Sequence, residues 1–123
     1  MMNISKILFL LPLLFISCGS GKVVEYTLEV VNEYPHDTES YTQGLFIKDG
    51  QMYESTGLNG KSTFRVVNME TGEAERRLDF DKKYFVEGSV MFEDNLYILT
   101  WESRIAFIYD AATLQYKSSW KYP

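Results

Sequence analysis

Two polar residues, Gln43 and Glu87, each stand directly before a glycine and lie 44 positions apart. A carboxylate such as that of Glu87 can take up a proton and return it, and an amide such as that of Gln43 offers hydrogen-bond donors and acceptors. Together these groups are suited to holding a polar ligand while a proton is moved. The same dipeptides could equally serve tight turns that need the glycine.

A second candidate for proton handling is the neighbouring pair His36 and Asp37. A histidine in a turn that contains proline, here Pro35, is more often structural, and we favour that interpretation. The sequence has one His and one Cys, so an internal disulfide and a His-based zinc site are both excluded. We therefore expect no metal and no other cofactor.

Charge and composition narrow the class of protein. The 123 residues include 12 Lys and Arg against 17 Asp and Glu, for a net charge of −5. Phosphate contacts need clustered basic side chains, and the sequence contains no run of them, so we expect no nucleic-acid partner. With 46% apolar and 15% aromatic residues, the chain is too apolar to be disordered and is predicted to fold.

The amino-terminal residues have the pattern of an export signal. Lys6 precedes an apolar run over 7–16, which is too short to span a bilayer but fits a signal peptide over residues 1–17. Residues 15–20, with Ser17 before Cys18, resemble the lipobox of bacterial lipoproteins. That resemblance implies cleavage before Cys18, acylation of its thiol and amino group, and a short tether over 18–22. The protein would then be anchored to a membrane of the bacterial cell envelope or periplasm. The alternative is a signal cut nearby, with Cys18 a free thiol.

The remaining residues, 23–123, read as an all-β domain. Residues 23–31 are rich in β-branched side chains and predict a strand. Turn dipeptides then recur between short apolar segments at Asp49-Gly50, Asn59-Gly60, Thr71-Gly72 and Asp94-Asn95.

These segments form a repeat. At an offset of 44, Gln43-Gly44 falls on Glu87-Gly88, Met52-Tyr53 on Leu96-Tyr97, and Thr56 on Thr100; at an offset of 42, Val67-Asn68 falls on Tyr109-Asp110 and Thr71 on Thr113. A four-stranded unit of about 40–45 residues has the size of a β-propeller blade. The alternative is a sandwich of two unrelated hairpin pairs. We predict about two blades over 41–123, with residues 23–31 as the outer strand of another. Since propellers close with about 4–8 blades, this chain is not expected to close by itself.

Several segments, in order and at matching spacing, resemble the glutamine cyclotransferase family of plant-type and bacterial glutaminyl-peptide cyclotransferases. They are Tyr34-Pro35-His36-Asp37-Thr38, Tyr41-Thr42-Gln43-Gly44-Leu45, Tyr53-Glu54-Ser55-Thr56-Gly57-Leu58, Tyr84-Phe85-Val86-Glu87-Gly88, Leu96-Tyr97-Ile98-Leu99-Thr100-Trp101 and Phe107-Ile108-Tyr109-Asp110. The resemblance extends from about Val30 to Pro123.

The resemblance implies a five-bladed propeller with its active site in the central channel and a mechanism without metal. Members convert the N-terminal glutamine of peptides or proteins to pyroglutamate and release ammonia. Five blades at this period need about 210 residues, so the chain resembles the N-terminal half of the domain. We expect such a fragment to be inactive alone.

Four site residues follow from the resemblance. It places the family's catalytic carboxylate at Glu87, which would take a proton from the substrate amine and return it to the leaving nitrogen. Gln43 would hold the substrate by hydrogen bonds, Tyr41 would lie in the pocket where the family more often has Phe, and Trp101 would form an apolar wall. Tyr41 could instead belong to the core, and Trp101 could pack between blades.

The main alternative is a non-catalytic, membrane-anchored propeller that binds a ligand or partner. Two departures from the family pattern favour it, since Val86 replaces a usual glycine and Ser89 replaces a usual apolar residue. A sugar-lactone or calcium-dependent propeller hydrolase is a weaker alternative, because it needs several carboxylate and Asn ligands and only Glu87 is suitably placed.

The amino-terminal pattern yields a first prediction. Mass spectrometry of the membrane-extracted protein should find an amino terminus at Cys18 that carries acyl chains. A Cys18→Ser variant should then leave the membrane fraction. An unmodified Cys18 in the extracted protein would contradict the prediction.

Overall fold

The computed structural model describes residues 21–123. The predicted signal peptide, residues 1–17, and Cys18 lie outside the described residues. The regular secondary structure of residues 21–123 consists of β-strands. No helix in this described range is long and apolar enough to cross a membrane.

Eight strands form two four-stranded antiparallel sheets, each a simple meander. The first sheet contains β1 (Thr42–Lys48), β2 (Gln51–Thr56), β3 (Thr63–Val67) and β4 (Ala74–Asp79). The second contains β5 (Val86–Phe92), β6 (Asn95–Thr100), β7 (Ile105–Asp110) and β8 (Tyr116–Lys121). The prediction of an all-β fold with two blade-like units is confirmed.

The chain divides into two units, with the boundary between Val30 and Val31. The described part of the first unit, residues 21–30, has no assigned strand, and its side chains are exposed. The strand predicted over 23–31 is therefore not formed. A strand is stable only when its backbone amides and carbonyls pair with a neighbour, and none of the described strands pairs with this segment. A favourable β-branched composition does not replace that partner.

The predicted repeat is visible in the turns that follow β3 and β7. Asn68 Oδ1 accepts hydrogen bonds from the backbone amides two and three residues ahead, at 3.0 and 3.1 Å. Asp110 Oδ1 accepts the equivalent pair at 3.1 and 2.9 Å. Both are Asx turns, in which a short polar side chain replaces a backbone acceptor. The two sheets thus share turn chemistry as well as strand order.

The core lies where the two sheets pack against each other. Its buried apolar side chains come from β3, β5, β6 and the turn after β7: Phe64, Val66, Val86, Leu96, Ile98 and Leu114. Aromatic rings extend it, as in the contact between Phe80 and Phe107, whose ring centroids are 5.6 Å apart. Burying one large apolar side chain contributes about 1.5–3 kcal/mol, so this shared face holds the sheets together. The outer strand β8 is exposed along its length.

The strands β1 and β5 meet at a close approach of their backbones. A Cβ atom added at Gly44 would lie 2.5 Å from Ser55 Oγ, 3.0 Å from the Ser89 backbone nitrogen and 3.3 Å from Gly88 Cα. Contacts this short displace the atoms involved, so a glycine is required there. At the equivalent position of the second sheet, Gly88, an added Cβ would meet no atom within 4 Å.

This asymmetry yields a prediction for the two glycines. Gly44→Ala should lower the free energy of unfolding by about 1–3 kcal/mol, because the added methyl overpacks the contact between the sheets. Gly88→Ala is the matched control and should change it by less than about 0.5 kcal/mol. Urea titration followed by tryptophan fluorescence measures both values. Equal effects of the two substitutions would contradict the close approach of β1 and β5 at Gly44.

Asp110, in the turn after β7, has a carboxyl group whose pKa is lowered by its neighbours. The backbone amide of Thr113, the Lys117 ammonium group and the Thr113 hydroxyl lower its pKa to about 2. Its carboxylate lies 3.1 Å from the Lys117 ammonium nitrogen. Asn68, its counterpart in the first sheet, makes the same Asx turn with an uncharged amide.

The lowered pKa sets the direction of an acid effect. The folded protein favours ionised Asp110, so this stabilisation is complete above the unfolded pKa near 3.8 and disappears as pH falls towards about 2. Asp110→Asn copies Asn68 and should reduce the loss of stability between those two pH values. Urea titrations of both proteins across that range provide the measurement. An acid loss of the same size in the variant would show that Asp110 does not contribute.

Candidate functional site

Gln43 lies in a β-bulge of β1. The register of β1 against β2 pairs Thr42 with Thr56 and then Gly44 with Ser55, so Gln43 is the extra residue. A bulge breaks the alternation of side chains along a strand and redirects the extra residue.

Glu87 lies in the equivalent bulge of β5. There Val86 pairs with Thr100 and Ser89 with Ile98, so Glu87 and the following glycine oppose a single residue of β6. The sequence repeat predicted equivalent places for Gln43 and Glu87. The structure adds that both places are bulges, on the two strands that contact each other.

Three aromatic rings form a row beside these bulges. Phe85 makes an edge contact with Tyr41 at a centroid distance of 6.2 Å and another with Trp101 at 5.6 Å. Tyr41 is 54% exposed and Trp101 is 58% exposed, so neither belongs to the buried core. Phe85 was missed by sequence reasoning, although it is the repeat equivalent of Tyr41, 44 positions away, and that correspondence could have identified it.

Gly57 allows the row of rings to approach Gln43. An added Cβ at Gly57 would lie 2.4 Å from the Phe85 ring and 3.1 Å from Gln43 Cγ. The Gly57 amide donates to the Tyr41 carbonyl at 2.8 Å, and the Trp101 amide donates to the Phe85 carbonyl at 2.9 Å. Because equivalent bonds hold both sheets, the rings and the bulged strands form one continuous structure.

The backbone of Glu87 is held from the first sheet. The buried hydroxyl of Ser55 donates to the Glu87 carbonyl at 2.7 Å and accepts from the Ser89 hydroxyl at 3.1 Å. The Glu87 side chain itself is half-buried. Ser89, which departs from the family pattern, therefore has a definite polar role.

The structure places His36 and Asp37 in a different cluster, centred on buried Glu54. His36 Nε2 donates to the Glu54 carboxylate at 3.0 Å, and Arg65 forms an ion pair with the same carboxylate. Thr42, at the start of β1, also donates to Glu54. These contacts tie the turn at His36 and the beginning of β1 to the first sheet, as the structural interpretation of His36 predicts.

Charge is balanced within this cluster. Arg65 lies 2.7 Å from an Asp37 carboxylate oxygen. The backbone amide of Glu39, then Arg65 and the Ser40 hydroxyl, lower the pKa of Asp37. Burial opposes the charge of Arg65, but its hydrogen bonds to Glu54 and Asp37 outweigh that penalty and raise its pKa. Glu54 and Arg65 are both buried, so removing either one would leave an unpaired buried charge, at a cost of about 3–5 kcal/mol.

The candidate site thus comprises the adjoining bulges that carry Gln43 and Glu87 and the row of rings formed by Tyr41, Phe85 and Trp101; all of these residues except Phe85 were selected from sequence. It combines a carboxylate, an amide and an aromatic surface. Within residues 21–123, no three His, Cys, Asp or Glu side chains are grouped as metal ligands would be. The chemistry available from these residues is proton transfer and hydrogen bonding beside an apolar wall.

Comparison with known proteins gives consistent matches. The family model described as glutamine cyclotransferase matches residues 10–123. A glutaminyl-peptide cyclotransferase from Arabidopsis thaliana is 40% identical over 88 residues, which are 71% of this chain and 28% of the plant protein. The chain therefore spans less than a third of that relative.

Two solved structures are similar. The glutaminyl cyclase of Myxococcus xanthus matches with a TM-score of 0.66 and 29% identity, over 76% of this chain and 39% of that chain. BamB from Moraxella catarrhalis matches with a TM-score of 0.53 and 14% identity, over 71% of this chain and 26% of that chain, which shows the fold alone. The two sheets are accordingly blades of the β-propeller type.

Proposed function

The chain belongs to the glutamine cyclotransferase family, and from this premise we propose that the protein is a glutaminyl-peptide cyclotransferase. Its substrates are peptides or proteins with an N-terminal glutamine, and its products are pyroglutamyl chains and ammonia. The observation that best supports this proposal is the placement of Gln43 and Glu87 in equivalent bulges of two adjoining strands.

The proposed reaction is an intramolecular substitution. The free α-amine of the substrate attacks the side-chain carboxamide carbon of the same residue, which forms a carbon–nitrogen bond and closes a five-membered ring. The bond from that carbon to the amide nitrogen then breaks, and ammonia leaves. Because nucleophile and electrophile belong to one residue, the enzyme mainly has to hold a reactive conformer and move protons.

Each site residue has a part in this mechanism. The Glu87 carboxylate accepts the proton released by the attacking amine and returns it to the departing nitrogen. The Gln43 amide binds the polar end of the substrate through its donors and acceptor. Tyr41, Phe85 and Trp101 supply an apolar surface for the substrate methylene groups, and the half-exposed rings of Tyr41 and Trp101 are accessible to it.

The central prediction concerns Glu87. The full-length protein should release ammonia from a peptide with N-terminal glutamine, and Glu87→Gln should lower kcat by about 10²–10⁴-fold, because the amide has nearly the same shape but accepts no proton. A coupled ammonia assay and mass spectrometry of the cyclised peptide measure the rate. Glu93→Gln, an exposed carboxylate just beyond β5, is the matched control and should keep the wild-type rate. A Glu87→Gln protein with the wild-type rate would contradict the mechanism.

The second candidate function is a non-catalytic binding propeller. The departures at Val86 and Ser89 favoured it, but both residues have structural roles here: Val86 is fully buried in the core and Ser89 donates to Ser55. Saturable binding of a glutamine-initiated peptide by the wild-type protein, with no ammonia released, would favour this alternative.

A further inference from the structure

Two buried serines, Ser55 in β2 and Ser62 directly before β3, bind the backbone of β5 around Glu87. The Ser55 hydroxyl donates to the Glu87 carbonyl at 2.7 Å, and the Ser62 hydroxyl accepts from the Val86 amide at 3.1 Å. Ser55 is 0% exposed and Ser62 is 2% exposed. The Val86 amide and the Glu87 carbonyl are thus hydrogen-bonded to side chains from outside their own sheet.

The direction of each hydrogen bond is fixed by a second partner. Ser62 donates its only proton to the Leu58 carbonyl at 2.9 Å, so it is an acceptor for the Val86 amide. Ser55 accepts from the Ser89 hydroxyl at 3.1 Å and is free to donate to the Glu87 carbonyl. A hydroxyl has one donor and two acceptor positions, so these arrangements are mutually compatible.

The bulge explains why these contacts are needed. The regular pairing of β5 with β6 is interrupted between Val86 and Ser89, so Glu87 has no regular pairing partner in β6. A bulge leaves its extra residue unpaired in the ladder, and a buried backbone group without a partner costs about 1–3 kcal/mol. Serines from the neighbouring sheet satisfy the backbone and select one arrangement.

We propose that Ser55 and Ser62, together named the serine clamp, are positioning residues that set the direction of the Glu87 carboxylate. They act through the backbone and do not touch the substrate. This inference rests on the proposed function, because it gives the clamp a role in the cyclisation. It also links the two blades, since the clamp belongs to the first and the carboxylate to the second.

The test compares three variants of the full-length protein at a temperature where circular dichroism shows all of them folded. Ser55→Ala and Ser62→Ala should each lower kcat by about 10–100-fold, because a small displacement of a catalytic group has an effect of this size. KM should change by less than about twofold, since the substrate-binding residues are untouched.

Thr63→Val is the matched control. Thr63 is also buried, and its hydroxyl forms its hydrogen bond with the Thr56 hydroxyl, at 2.7 Å, instead of with the backbone of β5. The control should lose stability to a similar extent and keep the wild-type kcat. An equal loss of kcat in Thr63→Val, or a wild-type kcat in both serine variants, would overturn the proposal.

Three further measurements separate the clamp from general stability. Ser55→Cys keeps a weak donor of similar shape and should recover part of the kcat lost in Ser55→Ala. Amide hydrogen exchange should be faster at Val86 in Ser62→Ala, and the carbonyl carbon shift of Glu87 should move in Ser55→Ala.

A wild-type protein that releases no ammonia would refute the proposed function. In that case the exchange rate at Val86 and the carbonyl shift of Glu87 would still test the clamp, and unchanged values of both would refute it.

Discussion

At Gly44 the backbones of β1 and β5 come so close that a Cβ atom would lie 3.0 Å from the Ser89 nitrogen. This approach brings the Ser55 hydroxyl within 2.7 Å of the Glu87 carbonyl, and it places the two bulges side by side. A side chain at Gly44 would push the strands apart and break these contacts together. The packing of the blades and the geometry of the candidate site therefore both depend on a glycine at position 44.

The polar interior of the first sheet provides the second constraint. Glu54 and Arg65 are buried and paired, and they also bind His36, Asp37 and Thr42. Such a pair is costly to desolvate, and its value lies in fixing one arrangement of the segments that it joins. Here those segments are the turn at His36 and the first residue of β1, directly before the bulge at Gln43. Because the cluster binds Thr42, the residue that follows Tyr41, it stabilises one edge of the site.

Both constraints combine in the proposed cyclisation. Ring closure within one glutamine needs little chemical assistance beyond a held conformer and a proton carrier, so the placement of groups decides the rate. The rings of Tyr41, Phe85 and Trp101 are rigid and share edge contacts, which suits a surface that holds a flexible side chain. The serines behind Glu87 would supply the corresponding rigidity for the carboxylate.

The sequence by itself determined the strands, the turns and the repeat, because alternating apolar residues and Asx turns act over a few neighbouring positions. Through the family resemblance it also selected Tyr41, Gln43, Glu87 and Trp101 as candidate site residues. Tertiary structure decided the rest: the bulges, the central place of Phe85, the Ser55 bond to Glu87 and the Glu54 cluster. These features join residues far apart in the chain, such as Ser55 and Glu87, so they exist only once the sheets are packed. The unformed strand at 23–31 has the same cause, since strand propensity is local and a pairing partner is not.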